Sequence, residues 1–286
     1  MLSTSTSIPT PASIATSTPT STSARLVFER VGPCSVVRSA FATSPLRLLT
    51  PRNHGHAAWA YTSTLGGGLV GGDEVRLEVR VGGGAAAVLA TQGETRVYRS
   101  SRGCRSELVA RVGEGGLLAL LPDPTVCFAG ASYRQRTEVR LDPRASLVLV
   151  EKLAAGRSAR GERWAFRRYE GDLTVHRGDR GILAESVLLD PAHGPIAGRF
   201  GDFDALCTVL LVGDALAGPV ASIASELASQ PASVLAGRIE SANLLAPDAL
   251  LIRMAATSVE GCLRSVRERL RFLPLLLGDD PWARRP

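Results

Sequence analysis

The strongest constraint on the fold is a two-residue alternation of apolar and charged side chains. Aliphatic residues at 75, 77, 79 and 81 alternate with Arg76, Glu78 and Arg80, and residues 133–141 repeat the pattern. This period places one face of a strand in a core and the other in water. Further strands are predicted, with turn-forming residues between them, at 57–64, 85–90, 108–112, 117–121, 147–150, 173–175 and 182–189. Many short strands predict a mainly β fold with a strand-rich β-helical or sandwich-like body over about 25–191.

The last third of the chain changes to a helical period. Apolar residues recur at helical spacing over 220–227, after Pro219, and again over 259–273. Thr257 and Glu260 have the spacing of a capping box in front of the second run. With strands predicted at 206–212, 234–240 and 250–254, this pattern indicates a C-terminal α+β portion over about 205–286 that carries a small two-helix appendage.

The first 24 residues differ from the rest in composition. Fourteen are Ser or Thr, three are Pro and none is charged. Such a segment buries too little apolar surface to offset the conformational entropy lost on folding. Residues 1–24 are therefore predicted to be a disordered tail before a folded domain at 25–286.

Composition also excludes several functional classes. The chain has no run of eighteen apolar residues, so no membrane-spanning helix is expected. Its net charge is +6, but the arginines are spread along the chain and aromatic residues are only 5%, which argues against a nucleic-acid partner. Five cysteines without a close pair are typical of small core residues in a reducing cytoplasm.

Sequence motifs for catalysis are weak. Residues 66–71 match GxGxxG, but a strand is predicted after them where a dinucleotide site needs a helix N-terminus. Neither GxSxG nor HExxH occurs in the sequence. His54 and His56 would share a face on a strand and form half of a metal site; beside Pro51 and Asn53 they also suit a loop.

Four segments carry a resemblance to a known family. They are RLLTPRNHGHAAWAYTSTLGGGLVGGDEVRLEVRV (47–81), LATQGETRVYRSS (89–101), LLPDPTVCFAGASY (120–133) and EKLAAGRSARGERWAF (151–166). Together they resemble the urease accessory protein UreD family, called UreH in some organisms, over nearly all of 25–282.

The resemblance implies a function without catalysis. Proteins of this family are β-rich with two helices, join a UreF protein and the GTPase UreG, and dock on apo-urease. Nickel then passes transiently through the UreD-like subunit, which holds no tightly bound cofactor. The resemblance and the cysteine usage together imply a cytoplasmic nickel-insertion chaperone.

A conduit for a hydrated divalent cation is expected to use scattered carboxylates. By resemblance, the candidate residues for transient nickel passage are Asp73, Glu74, Glu151 and Glu185. Each has a structural alternative, since Asp73 suits a cap of the glycine turn, Glu151 a pair with Arg157, and Glu185 a solvated position.

A second motif is interpreted as a structural or partner-docking element, and it comprises Gly71, Gly72, Thr91, Gln92, Tyr98 and Arg99. The alternative function is a β-rich hydrolase or small-ligand-binding protein that uses the GGGLVGGD loop at 66–73.

Overall fold

The computed structural model of the 286-residue chain describes residues 21–52, 55–229 and 237–283. Its strands are β1 (Ser21–Val31), β2 (Cys34–Ala42), β3 (Leu46–Leu49), β4 (Ala58–Thr64), β5 (Glu74–Val81), β6 (Ala86–Thr91), β7 (Thr95–Val97), β8 (Cys104–Val112), β9 (Leu117–Leu120), β10 (Thr125–Cys127), β11 (Ser132–Leu141), β12 (Ser146–Ala154), β13 (Gly156–Arg157), β14 (Glu162–Arg163), β15 (Arg168–Arg177), β16 (Arg180–Leu189), β17 (Ala205–Val212), β18 (Arg238–Ala246) and β19 (Ala249–Ala256). Its α-helices are α1 (Ile196–Phe200), α2 (Ala217–Ala228), α3 (Val259–Arg269) and α4 (Leu273–Leu277).

Two stacked sheets make up the body. Within the described residues, a seven-stranded sheet has the order β16-β15-β11-β8-β5-β1-β2, and a ten-stranded sheet has the path β18-β19-β17-β12-β9-β6-β4-β3 with β10 and β7 beside it. Along the chain, β4, β6, β9 and β12 pair in parallel in the larger sheet, while the intervening β5, β8, β11 and β15 pair in parallel in the smaller one. The chain therefore coils as a two-sheet β-helix, so the predicted mainly β fold is confirmed in the β-helical of its two alternative forms.

The burial pattern follows from the alternation. Leu77, Val79 and Val81 of β5 face Leu147 and Leu149 of β12 across the space between the sheets, in one apolar core. A second core lies between the outer face of the ten-stranded sheet and helices α2 to α4. The outer face of the seven-stranded sheet carries charged side chains that form ion pairs between neighbouring strands. This places any interior site between the two sheets.

The predicted tail boundary is wrong by four residues. Strand β1 begins at Ser21 and pairs in register with β5 from Glu74 onward. Thr22 is 1% exposed and its hydroxyl donates a hydrogen bond to the Ser44 carbonyl at 3.3 Å. In this strand Thr22 and Ala24 are buried, while Ser21 and Ser23 are exposed. Because both faces are made of small or hydroxyl residues, the start of the strand cannot be distinguished by composition from the Ser/Thr-rich segment before it. Residues 1–20 of the predicted tail lie outside the described residues.

The predicted capping box is also wrong. Ser258 is the N-cap residue of α3 and accepts a hydrogen bond from the Gly261 amide at 3.1 Å, while the Thr257 amide bonds Gly237 on the strand side. The predicted second helix ends at Arg269, and α4 follows separately. Pro274 explains the break. It has no N–H to donate to the Leu270 carbonyl, and in a continuous helix its ring would clash with that carbonyl.

The strands predicted at 206–212 and 250–254 are confirmed as β17 and β19, whereas the strand predicted at 234–240 overlaps β18 only at 238–240. Helix α2 contains Pro219 in its first turn, as predicted. The strand predicted at 234–240 starts at Arg238 and continues to Ala246, and residues 234–236 lie outside the described part of the chain.

None of the helices in the described ranges is both long enough and apolar enough to cross a membrane.

The cysteines occupy core positions with one exception. Cys104, Cys127, Cys207 and Cys262 are buried, but Cys34 is exposed, so its predicted core position is wrong. Burial raises the pKa of the Cys104 thiol to about 12, with the Asp73 carboxylate adding to the effect. A thiol in that state is a poor nucleophile and metal ligand at neutral pH.

Candidate functional site

A cavity of about 620 Å³ lies between the two sheets, near the ends where the strands of the smaller sheet begin. Most of its wall is apolar, including Leu77, Leu108 and Leu149. Polar and charged groups enter it from both sheets, and they include Tyr133, Gln135, Thr137, Glu151, Glu185 and Arg253. An apolar cavity with a few convergent polar groups is the usual form of a binding site.

Glu151 points into this cavity because of its place in β12. Leu147 and Leu149 of that strand belong to the core between the sheets, whereas Val148 and Val150 face the helices. With a period of two, Glu151 continues the inward row. Glu151 thus places a carboxylate at an inward position, where the two preceding inward residues of the strand are leucines.

The Glu151 carboxylate is held from the opposite sheet. Its Oε1 accepts hydrogen bonds from the Thr137 hydroxyl at 2.8 Å and the Gln135 side-chain amide at 3.0 Å, both on β11. Oε2 takes part in neither bond. Burial raises the pKa of Glu151, the two hydrogen bonds oppose that rise, and the nearby Glu185 carboxylate adds to it. The group is therefore oriented by one oxygen while the other is left for a ligand.

Glu185 forms a bridge between the sheets at the open edge. It lies on edge strand β16, and its Oε1 is 3.0 Å from both Nε and Nη2 of Arg253 on β19. The Glu185 side chain is 20% exposed, so it is paired and not simply solvated. The predicted pair between Glu151 and Arg157 is wrong, because Arg157 binds Glu162.

Asp73 and Glu74 lie outside the cavity wall. The Asp73 side chain is 5% exposed and accepts a hydrogen bond from the Val70 amide at 2.9 Å, which caps the glycine turn. Glu74 points to the outer face of the smaller sheet, where its carboxylate pairs with Arg105 at 2.5 Å and is 47% exposed. Of the four candidate carboxylates, the structure brings Glu151 and Glu185 together and separates the other two from them.

The GGGLVGGD loop packs on the segment that follows β7. Leu69 and Tyr98 are joined by a backbone hydrogen bond at 2.9 Å, and the Tyr98 ring meets Phe128 edge-on. A side chain at Gly71 would lie 1.5 Å from the Ser100 hydroxyl, and Gly72 has φ +91°. Both positions therefore need glycine.

The remaining motif residues are dispersed. Thr91 lines the cavity, and its hydroxyl accepts a hydrogen bond from the Asp123 amide at 2.8 Å. Gln92 and Arg99 are exposed. The aliphatic part of Arg99 lies against Gly130, whose φ is +74°.

Three residues that complete the site were not singled out from the sequence. Gln135 and Thr137 occupy inward positions of the alternating strand β11, so polar residues on an otherwise apolar face were a usable signal. Arg253 had no such signal, because its partner Glu185 is 68 residues away in the chain.

The metal half-site predicted at His54 and His56 can be described for His56 alone. His54 lies outside the described residues, and the exposed His56 ring bonds the Leu276 carbonyl at 3.0 Å. Over residues 21–52, 55–229 and 237–283, no three His, Cys, Asp or Glu side chains are arranged to hold a metal ion.

The sequence of this chain matches a known protein family over nearly its whole length. The family model of the UreD urease accessory protein matches residues 21–285. The chain belongs to the UreD family. The resemblance drawn from the four sequence segments is thereby confirmed, and the cavity is a feature of a urease accessory protein.

Curated UreD relatives cover most of this chain. The urease accessory protein UreD of Sorangium cellulosum is 50% identical over 266 residues, which is 92% of this chain and 84% of the relative. The Anaeromyxobacter UreD is 44% identical over 264 residues, 92% and 89% respectively. Urease accessory protein D of Arabidopsis thaliana is 32% identical over 290 residues, 91% and 99% respectively.

The raised pKa of Glu151 in this UreD-family chain gives a testable pH dependence. The folded state holds the Glu151 proton more tightly than the unfolded state, so its contribution to stability falls as pH rises through the unfolded and then the folded pKa. Glu151→Gln removes this loss. We expect its unfolding midpoint in urea to exceed that of the wild type at pH 8 and to approach it at pH 4.

The matched control for this measurement is Glu74→Gln, which removes an exposed carboxylate outside the cavity. Its effect on the free energy of unfolding should stay within about 0.5 kcal/mol at both pH values. A Glu151→Gln midpoint below that of the wild type at pH 8 would contradict a Glu151 pKa raised by burial.

Proposed function

We propose that this chain is a non-enzymatic scaffold in a cytoplasmic complex with UreF-like and UreG-like accessory proteins and apo-urease, and that nickel passes through its cavity toward the urease active site. The observation that carries the proposal is the pair of neighbouring carboxylates, Glu151 and Glu185, in a mostly apolar cavity of a urease accessory protein. Nickel is cargo in this proposal and not a resident cofactor.

The cavity is large enough for a hydrated divalent cation. A water molecule occupies about 30 Å³, so six waters need roughly 180 Å³. The cavity of about 620 Å³ exceeds that by a wide margin. Because the walls are mostly apolar, they offer few ligands that would replace the ion's water.

The arrangement of the carboxylates favours passage over retention. Each is fixed through its Oε1, Glu151 by Thr137 and Gln135 and Glu185 by Arg253. Each can therefore offer Oε2 to a cation or to its bound water. Hard cations take carboxylate oxygen and water ligands. Because no three His, Cys, Asp or Glu side chains of the described residues are arranged to hold a metal ion together, binding here would be weak and reversible.

The contacts of the GGGLVGGD loop argue against the alternative function, a hydrolase or small-ligand site in that loop. The loop's carboxylate at Asp73 is used by the Val70 amide, and Leu69 is buried in a core cluster. Gly68 lies so close to the Arg96 carbonyl that a side-chain carbon would be 2.5 Å from it. The loop is thus engaged in packing.

Co-purification tests the scaffold role. The affinity-tagged full-length chain, expressed with the complete urease gene cluster, is expected to recover UreF-like and UreG-like proteins and the urease subunits in constant proportion through size-exclusion chromatography. The control is the same cells with the chain untagged. A tagged chain that elutes alone as a stable species would overturn the scaffold role, whatever the fate of nickel.

A further inference from the structure

A row of basic side chains crosses four neighbouring strands on the outer face of the smaller sheet. Arg80 of β5 is in register with Arg111 of β8, Arg111 with Arg140 of β11, and Arg140 with His176 of β15. We call these four residues the basic row. The three arginines are exposed and His176 is half-buried. At about 4.8 Å between strands, the row is about 14 Å long.

The neighbouring rows on this face are built differently. Each arginine in two other rows of this face meets a carboxylate in an ion pair of 2.5 to 3.5 Å. The residues in those two rows are Glu74, Arg105, Arg134 and Glu170 in one, and Arg76, Glu107, Arg136 and Asp172 in the other. Mutual neutralisation is therefore the rule on this surface, and the basic row departs from it.

Within the described part of the chain, the acidic residues next to the basic row pair with Arg140 but not with Arg80 or Arg111. Glu78 pairs with Arg25 and Arg76. Glu138 is shared between Arg136 and Arg140, at 3.1 and 2.8 Å. Arg80 and Arg111 have no ion-pair partner within 4.0 Å among the residues that the structure describes.

Such a row carries a free-energy cost in the isolated chain. Like charges directly opposite each other on adjacent strands are destabilising. Arginine stays protonated at any physiological pH, so Arg80 and Arg111 repel each other under all such conditions. A bound anion removes this repulsion and gains charge-assisted hydrogen bonds with the guanidinium groups.

We propose that the basic row is a docking surface for an acidic segment of a protein partner. Its length suits two or three carboxylates on one face of a short peptide segment. Glu78 and Glu138 border the row two residues away on β5 and β11, and they would repel a phosphate backbone extending beyond it. The outward positions of β5, β8, β11 and β15 also carry no Phe, Tyr or Trp, the large aromatic residues that stack on successive bases.

The test uses the full-length chain and a fluorescein-labelled, glutamate-rich synthetic peptide. The variant Arg80→Gln/Arg111→Gln is compared with Arg76→Gln/Arg134→Gln, which removes the same net charge from the same face but from paired arginines. We expect the first variant to lose roughly tenfold or more in affinity, as expected for lost charged hydrogen bonds. The control should change by less than about threefold.

Two further readouts keep the proposal falsifiable. The Arg80→Gln/Arg111→Gln variant should melt at the same temperature as the wild type or higher, because repulsion is removed, so lost binding cannot be attributed to unfolding. Equal loss of peptide binding in the control would show attraction by net charge alone and overturn the proposal. Tighter binding of single-stranded DNA or polyphosphate than of the peptide would overturn it in favour of a phosphate ligand.

Discussion

Replacing Arg269 with alanine is expected to destabilise the fold by about 3–5 kcal/mol, as breaking a buried ion pair does. The Arg269 side chain is 3% exposed, and its Nη1 lies 2.6 Å from Glu226 while its Nε lies 2.9 Å from Glu240. These bonds join helices α2 and α3 to strand β18. Without the guanidinium, the Glu240 carboxylate, which is 8% exposed, loses its closest partner.

Urea denaturation of the Arg269→Ala variant measures this effect. The control is Arg264→Ala on the same helix, an exposed position that should change the free energy of unfolding by no more than about 0.5 kcal/mol. Adding Glu240→Leu to Arg269→Met should recover part of the loss, because no deeply buried carboxylate then remains unpaired. An Arg269→Ala variant as stable as its control would contradict the structural role of this ion cluster.

The strands could be predicted from the sequence because their pattern is local. The alternation of apolar and charged residues within a strand, as from Val75 to Val81, indicates which face of that strand is buried. The pairing of β5 with β8, and of β8 with β11, joins segments about thirty residues apart, and no local pattern specifies it. Gly-rich turns and many strands were compatible with a sandwich as well as a β-helix until the parallel register was known.

The site could be predicted only in part, because a local pattern shows which way a side chain points but not which distant residue it meets. Glu151 follows Leu147 and Leu149 at the spacing of inward positions, yet its sequence neighbour Arg157 suggested a local pair. Arg157 instead bonds Glu162 across the short hairpin of β13 and β14. Glu74 was included because of its motif, but its strand parity turns it outward to Arg105. Strand parity was thus a better guide to the cavity than proximity in sequence.

The second large effect is expected from Glu151→Gln on nickel delivery. Glutamine keeps the size of the side chain and its acceptor for Thr137 and Gln135, so the complex should still assemble. It removes the carboxylate that faces the cavity. We expect nickel delivered to urease to fall by roughly tenfold, the scale of losing a group that orients or binds a metal.

Glu74→Gln is the matched control, since it makes the same chemical change on the outer face of the same domain. The deciding measurement is the nickel content per urease active site, by mass spectrometry of urease matured with each variant, alongside recovery of the accessory complex. Passage through the cavity predicts an intact complex with nickel-poor, inactive urease for Glu151→Gln, and normal nickel for Glu74→Gln. An intact Glu151→Gln complex that loads urease with normal nickel would contradict it.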